Sequence, residues 1–312
     1  MAREPVKGEV GIVGAGTIGA SWAAFFLSRG MKVRATDPAP GAEARLRAFI
    51  ATVWPVLESL GLAKGATVDN LSFHANVVEA VDGVEFVQES GPEQEDIKIA
   101  IFREIDAALH PHAIISSSSS HLNMTHVQSG CTHPQRCVLG HPFNPPHLIP
   151  LVEVMGGAQT SPQAVDQAMA FYKAAGKQPI RVLKEQHGHV ANRLQRALWQ
   201  EAARMVAEGY CTAADVETAL CKGPGLRWAI MGHFQILNLG GGPEGFQGWM
   251  KNVSGLKVGD KIGATMMTQD LLDKLLEGID TLSNGKTIPE MARERDEKLV
   301  AILKIVDAGR LT

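Results

Sequence analysis

The strongest constraint on this chain is a glycine triplet near its beginning. Gly14-Ala15-Gly16-Thr17-Ile18-Gly19 follows the apolar run Val10-Gly11-Ile12-Val13 and opens a helix-compatible stretch, Thr17 to Ser28, which Gly30 ends. In such a strand–turn–helix unit the first glycine permits the tight turn and the second lets the backbone approach a pyrophosphate. The third allows close helix–strand packing, and the helix N-terminus offers free N–H groups and positive potential to the anion. The spacing alone says little, because 32 of the 312 residues are glycine; the setting between strand and helix gives it meaning. A second strand, Lys32 to Thr36, then delivers Asp37 close to where an acid hydrogen-bonds both ribose hydroxyls. A carboxylate there repels a 2′-phosphate and the next residue is Pro38 rather than Arg, so NAD is the expected cofactor rather than NADP.

The rest of the first part repeats this alternation. Glu85 to Gln88, Ala113 to Ile115, Arg136 to Leu139, Leu151 to Val154 and Ile180 to Leu183 read as short strands. Helices fall at Ile97 to Leu109 and from Ser161-Pro162, as N-cap and N1, to a stop at Gly176. Short buried strands alternating with helices specify a doubly wound, mostly parallel sheet, the α/β Rossmann class. After Gly188 the period becomes helical: Val190, Leu194, Leu198 and Met205 share one face, Thr212 with Asp215 caps the next helix, and Thr287 to Glu290 is a capping box. The expected domains are residues 1–187, binding the cofactor, and residues 188–312, a smaller all-α domain.

Thirty Lys+Arg against 33 Asp+Glu leave a net charge of −3, without the basic stripe a nucleic-acid partner needs. No apolar run reaches the roughly 18 residues of a membrane span, and the N-terminal residues lack the apolar core of a signal peptide. Cys131, Cys137, Cys211 and Cys221 form no C-x-x-C pair and read as reduced, mostly packed thiols of a cytoplasmic protein.

One loop carries candidate chemistry. Gly140-His141-Pro142-Phe143-Asn144-Pro145-Pro146 sits between two strands, the second holding Glu153. Oxidising a secondary alcohol needs a base for the hydroxyl proton, imidazole titrates in the right range, and a carboxylate can hold its tautomer. On spacing alone a structural histidine in a proline-stiffened loop stays open.

Six motifs together resemble the L-3-hydroxyacyl-CoA dehydrogenase family: Gly14 to Gly19, Gln88 to Glu93, Ser116 to Ser120, His141 to Pro146, Leu151 to Val154, and Asn192-Arg193-Leu194. The likeness covers nearly the whole chain and implies a Rossmann domain followed by a helical dimerisation domain. It implies that His141 is the base and Glu153 its orienting partner, with Ser120 and Asn192 bonding the reacting oxygen. Glu93 and Lys98 would join the cofactor site beside Asp37, and Ser118 would lie near the nicotinamide. The implied assembly is a homodimer and the implied substrate a small hydroxy acid.

Within the family, Asn144 to Pro146 and Gly223 to Gly232 are similar to the L-carnitine dehydrogenase and L-gulonate 3-dehydrogenase (lambda-crystallin) branches, and Asp37 to Glu43 with Trp54-Pro55 favours the former. Short-chain L-3-hydroxyacyl-CoA oxidation and a dinucleotide-binding crystallin-like role without turnover are the alternatives. A quaternary ammonium needs aromatic faces, available in Phe143, Trp199, Trp228, Phe234, Phe246 and Trp249, and a carboxylate could use Arg193, Arg196 or Arg227. One departure stands out: His187-Gly188-His189 replaces the family's usual Pro-Gly-Phe, putting a histidine where an aromatic is expected near the substrate. No metal is expected, since histidines at His-x-His spacing do not complete a zinc tetrahedron.

Overall fold

The computed structural model describes residues 8–308. The chain divides into two compact units, residues 1–197 and 198–312.

The first unit is built on one eight-stranded sheet. Its strands are β1 (Glu9–Val13), β2 (Lys32–Thr36), β3 (Leu71–Phe73), β4 (Phe86–Glu89), β5 (Ile114–Ser117), β6 (Cys137–Pro142), β7 (Leu151–Gly156) and β8 (Gln178–Arg181), in the order β3-β2-β1-β4-β5-β6-β7-β8. All neighbours run parallel except β6 and β7. This is the doubly wound Rossmann class, and its strand order reverses beside β1. A crevice therefore opens outside the carboxyl ends of β1 and β4, where such sheets hold ligands. β1 is apolar from Val10 to Val13 because both faces are covered.

Helix α1 (Thr17–Ser28) is buried from Gly19 to Ser28, with Trp22 and Phe26 stacked at 5.2 Å, so it is apolar on every side. Helix α2 (Ala42–Ser59) was not legible beforehand; it turns Leu46, Ile50 and Leu57 inward and carries Pro55 inside, where one backbone donor is lost. Next come α3 (Val77–Val81), α4 (Glu95–Ala108), α5 (Met124–Val127), α6 (Pro162–Ala174) and α7 (Ala191–Ala207), whose residues from 198 onward belong to the second unit. Ser161 caps α6 by accepting the Ala164 N–H.

Strand β8 lies two residues earlier than the apolar run suggested: it pairs Gln178 to Arg181 with Leu151 to Val154, and Leu183 is 85% exposed. Lys177 explains the register. Its buried Nζ donates to the carbonyls of Pro146 and Ile149, and the Gln178 N–H donates to the Pro150 carbonyl at 2.8 Å, so the strand starts there.

The second unit holds α8 (Ala213–Lys222), α9 (Pro224–Trp228), α10 (His233–Gly240), α11 (Gly245–Trp249), α12 (Gln269–Ser283) and α13 (Ile288–Ala308), with a short hairpin of β9 (Lys261–Ile262) and β10 (Thr265–Met266). Thr212 and Asp215 form the capping box of α8, and Glu290 accepts both the N–H and the hydroxyl of Thr287 at the start of α13. Phe246, Met250, Met267, Leu272 and Ile279 make the core, with Phe246 stacked on Trp249 at 5.7 Å. Phe246 is therefore a packing residue of this unit rather than an aromatic free to meet a ligand. The thiols are also less packed than expected: Cys137 is buried, Cys131 and Cys211 half-buried and Cys221 exposed. Among the described residues no helix is long and apolar enough to cross a membrane.

Candidate active site

The turn after β1 has the geometry that its glycines imply. Gly14 has φ +91, and a Cβ there would sit 2.7 Å from the Ser90 and Gly91 backbone. A Cβ on Gly19 would lie 1.8 Å from the Gly14 carbonyl oxygen, so this glycine allows α1 to approach the turn. Gly16 differs: a Cβ there would meet nothing within 4 Å. It borders a cleft of about 850 Å³ shared with Gly14, Asp37, Pro38, Ser90 and Gly91.

Asp37, at the end of β2, ties this cleft together. Its Oδ2 accepts the Ala15 N–H at 2.7 Å and its Oδ1 the Ala39 N–H at 2.8 Å. Each carboxylate oxygen has about two acceptor positions, so both can still take a ribose hydroxyl. Gly16 is the N-cap of α1 and no side chain bonds the first amides of that helix. An uncapped helix N-terminus, a glycine that keeps the approach clear and a carboxylate with spare acceptors fit a dinucleotide.

Glu93 and Lys98 do not line this cleft. Lys98 is buried, its Nζ donating to Glu89 Oε1 at 2.7 Å and lying 3.8 Å from Glu93 Oε2. Glu93 Oε1 accepts the Ser119 hydroxyl and the N–H groups of Ser120 and His121, at 2.5, 2.9 and 2.9 Å. Burial raises the Glu93 carboxyl, but these bonds and the Lys98 charge outweigh it and hold the pKa below the ordinary value. The pair thus shapes the Ser118–Ser120 loop. A fully buried lysine on an amphipathic helix was invisible as such in the sequence, because its partner Glu89 comes from a different element.

Strands β6 and β7 bring His141 and Glu153 together, since their antiparallel register sets the two directly opposite. His141 Nδ1 lies 2.8 Å from Glu153 Oε2, and Glu153 Oε1 accepts the N–H groups of Val190 and Ala191, at the start of α7, at 2.8 and 2.9 Å. Burial raises the Glu153 carboxyl, while the bonds from His141, Ala191 and Val190 lower it, leaving it below the usual carboxylate range. An ionised Glu153 only accepts, so Nδ1 carries the proton and Nε2 presents a lone pair. That Nε2 is 3.0 Å from the Ser120 hydroxyl.

A pocket of about 320 Å³ opens there, lined by Ile18, Ser118, Ser120, His141, Pro142, Phe143, Asn144, Asn192 and Gln195. Ser118 accepts a hydrogen bond from Gln88 Nε2 at 2.8 Å and lies 2.9 Å from the Ser90 hydroxyl. The structure therefore brings His141, Glu153, Ser118, Ser120 and Asn192 into one constellation. Gln195, one turn after Asn192, was not singled out beforehand; its i, i+3 spacing on a polar helix face was the available signal.

His189 does not line this pocket. It is 3% exposed with φ +46, its ring centroid 4.9 Å from that of His141 and its Nε2 3.4 Å from the Ser119 carbonyl oxygen. Burial, and then the neighbouring His141, hold its pKa below the ordinary imidazole value. The departure from an aromatic residue thus sits against the His141 ring rather than in the pocket wall.

A cleft with dinucleotide-binding features at a Rossmann switch point, together with a carboxylate-oriented imidazole and hydroxyl donors, defines an NAD-dependent dehydrogenase. More particularly, the chain belongs to the 3-hydroxyacyl-CoA dehydrogenase family: residues 9–186 match the model of its NAD binding domain and residues 188–279 that of its C-terminal domain. It is 45% identical to an L-carnitine dehydrogenase of Streptomyces griseus over 313 aligned positions, covering 99% of this chain and 92% of that protein. It is 42% identical to an L-carnitine dehydrogenase of Pseudomonas putida, covering 96% and 94%. Among solved structures it resembles 5-formyl-3-hydroxy-2-methylpyridine 4-carboxylic acid 5-dehydrogenase, described as an NAD+ dependent dismutase. The TM-score is 0.72 and the identity 30%, over 98% of this chain and all of that one.

Proposed function

We propose that this protein oxidises the 3-hydroxyl of a small hydroxy acid, L-carnitine, to 3-dehydrocarnitine with NAD. The His141–Glu153 pair facing a pocket beside the dinucleotide cleft carries the chemical part of this reading. The carnitine dehydrogenases at 42–45% identity over nearly the whole chain support the substrate.

In this reading Ser120 and Asn192 hydrogen-bond the substrate hydroxyl and hold its oxygen at His141. Neutral His141 accepts the hydroxyl proton at Nε2, and Glu153 stabilises the imidazolium through Nδ1–H. The same hydroxyl and carboxamide support the oxygen as it gains charge and then becomes a carbonyl. Bound NAD would supply the hydride acceptor for this oxidation. Asp37 would hold its ribose, the Gly14–Gly19 turn with Ala15, Thr17 and Ile18 its pyrophosphate, and Ser118 would lie near its nicotinamide.

The working form in this reading is a cytoplasmic homodimer, with residues 1–187 binding cofactor and 188–312 serving substrate and dimerisation. Exposed Trp199 and Phe234, at 68% and 46%, support a partner surface on the helical part. The deciding experiment is a panel of L-carnitine, L-gulonate and a short L-3-hydroxyacyl-CoA, each with NAD, followed by NADH absorbance. L-Carnitine should exceed the others in kcat/KM by about tenfold or more. A preference for either of the others, or no NADH with any, would overturn it.

A further inference from the structure

The pocket beside His141 has an unusual balance of polar groups. Its two serine hydroxyls are engaged, Ser118 with Gln88 and Ser90, and Ser120 with His141. Its three carboxamides, Asn144, Asn192 and Gln195, hydrogen-bond to no other described residue. Among the described residues lining it there is no Lys, Arg, Asp or Glu, and His141 is the one histidine. None of Arg193, Arg196 and Arg227, which the sequence offers for a substrate carboxylate, is among these lining residues, whereas three neutral amides are.

That choice has a physical logic. A guanidinium beside His141 would repel the imidazolium that forms when His141 takes the proton. Carboxamide N–H groups bind a carboxylate through charge-assisted hydrogen bonds and add no such repulsion. A quaternary ammonium has no proton to donate and would gain only an ion–dipole contact. Asn192 and Gln195 are three residues apart on α7, so their side chains emerge from one face about 5–6 Å apart. If Asn192 meets the oxygen on C3, Gln195 is spaced for a group two carbons further along the chain, where a 3-hydroxy acid has its carboxylate. We infer that Gln195 is a specificity-determining residue that binds the substrate carboxylate through its amide N–H. This rests on the pocket being the hydroxy-acid site.

The test compares L-carnitine with its carboxamide analogue, whose acid group is uncharged, on the full chain with NAD. Gln195→Leu should raise KM for the acid about tenfold or more, the loss of one charge-assisted bond, with kcat within about threefold. The carboxamide analogue should move less than about threefold. Gln195→Glu should weaken the acid further than Gln195→Leu does, through like-charge repulsion. Gln195 is exposed, so both variants should fold, and unchanged NAD affinity checks this. Equal effects on acid and carboxamide, no effect on either, or tighter L-carnitine binding by Gln195→Glu would overturn the assignment while leaving the functional proposal standing. Should no hydroxy acid be turned over by the unaltered protein, both fall.

Discussion

Replacing Glu153 by Gln tests the base arrangement at its least tolerant point. The carboxylate is fully buried; its Oε1 takes the Val190 and Ala191 N–H groups and its Oε2 faces His141 Nδ1 at 2.8 Å. A glutamine has the same shape, but only its carbonyl oxygen can accept. If that oxygen serves the two backbone amides, the NH2 group points at Nδ1–H, donor against donor. His141 can relieve the clash by moving its proton to Nε2, and Nε2 then no longer presents a lone pair to the substrate. The imidazolium also loses its counter-charge. Losing a general base of this kind costs about 10²–10⁴ in rate, so a central value of about 10³ corresponds to roughly 4 kcal/mol of barrier.

The assay is single-turnover NADH formation with saturating NAD, with NAD affinity measured on the same sample. NAD affinity should hold within about twofold, because the altered group lies outside the Gly14–Asp37 cleft. The depressed pKa of Glu153 fixes the pH behaviour. The Glu153 carboxylate is ionised above the ordinary carboxylate range and is protonated only as pH falls through the lowered native value. The rate ratio between wild type and variant should therefore stay flat from about pH 6 to 9 as far as Glu153 ionisation sets it. A variant with turnover within about threefold of wild type would refute the tautomer reasoning.

Two further outcomes follow from the packing. Burial and the nearby Arg29 charge push Lys177 down to about 7, whereas an unfolded lysine titrates near ~10.4. Between those values the unfolded chain binds the extra proton, so the wild-type Tm should climb from about pH 7 to 9 relative to Lys177→Met; parallel Tm profiles would contradict this. Gly16→Ala should leave Tm nearly unchanged but weaken NAD, since its Cβ meets no protein atom within 4 Å. Gly19→Ala, with its Cβ 1.8 Å from the Gly14 carbonyl oxygen, should lose about 1–3 kcal/mol of stability, so equal Tm for both variants would show the turn to be looser than described.

The parts of this molecule that were legible in advance are those whose physics is local. The Val13–Gly19 turn announces itself because Gly14 needs a left-handed φ and Gly19 a missing Cβ, and both constraints are written as glycine. Helix starts at Ser161, Thr212 and Thr287 were readable because a cap bonds amides within three residues. His141 and Glu153 could be nominated as a pair, but their direct opposition depends on the register of β6 with β7, which no spacing specifies. Glu93 holding the Ser119–His121 backbone and Lys98 buried against Glu89 join distant elements, so neither position was visible. Strand β8 begins before the Ile180–Leu183 apolar run because Lys177 sets its start, a contact between distant elements that the run does not encode. Gln195 was missed because an exposed glutamine on a helix looks like surface until its neighbours are known.

The most direct measurement is His141→Ala assayed for NADH formation from L-carnitine beside a parallel NAD titration. Loss of turnover by a factor of about 10² or more, with NAD binding retained, is the outcome that a proton-accepting imidazole at this pocket requires. Turnover close to wild type would remove His141 from the chemistry, and with it the account of how this chain oxidises an alcohol.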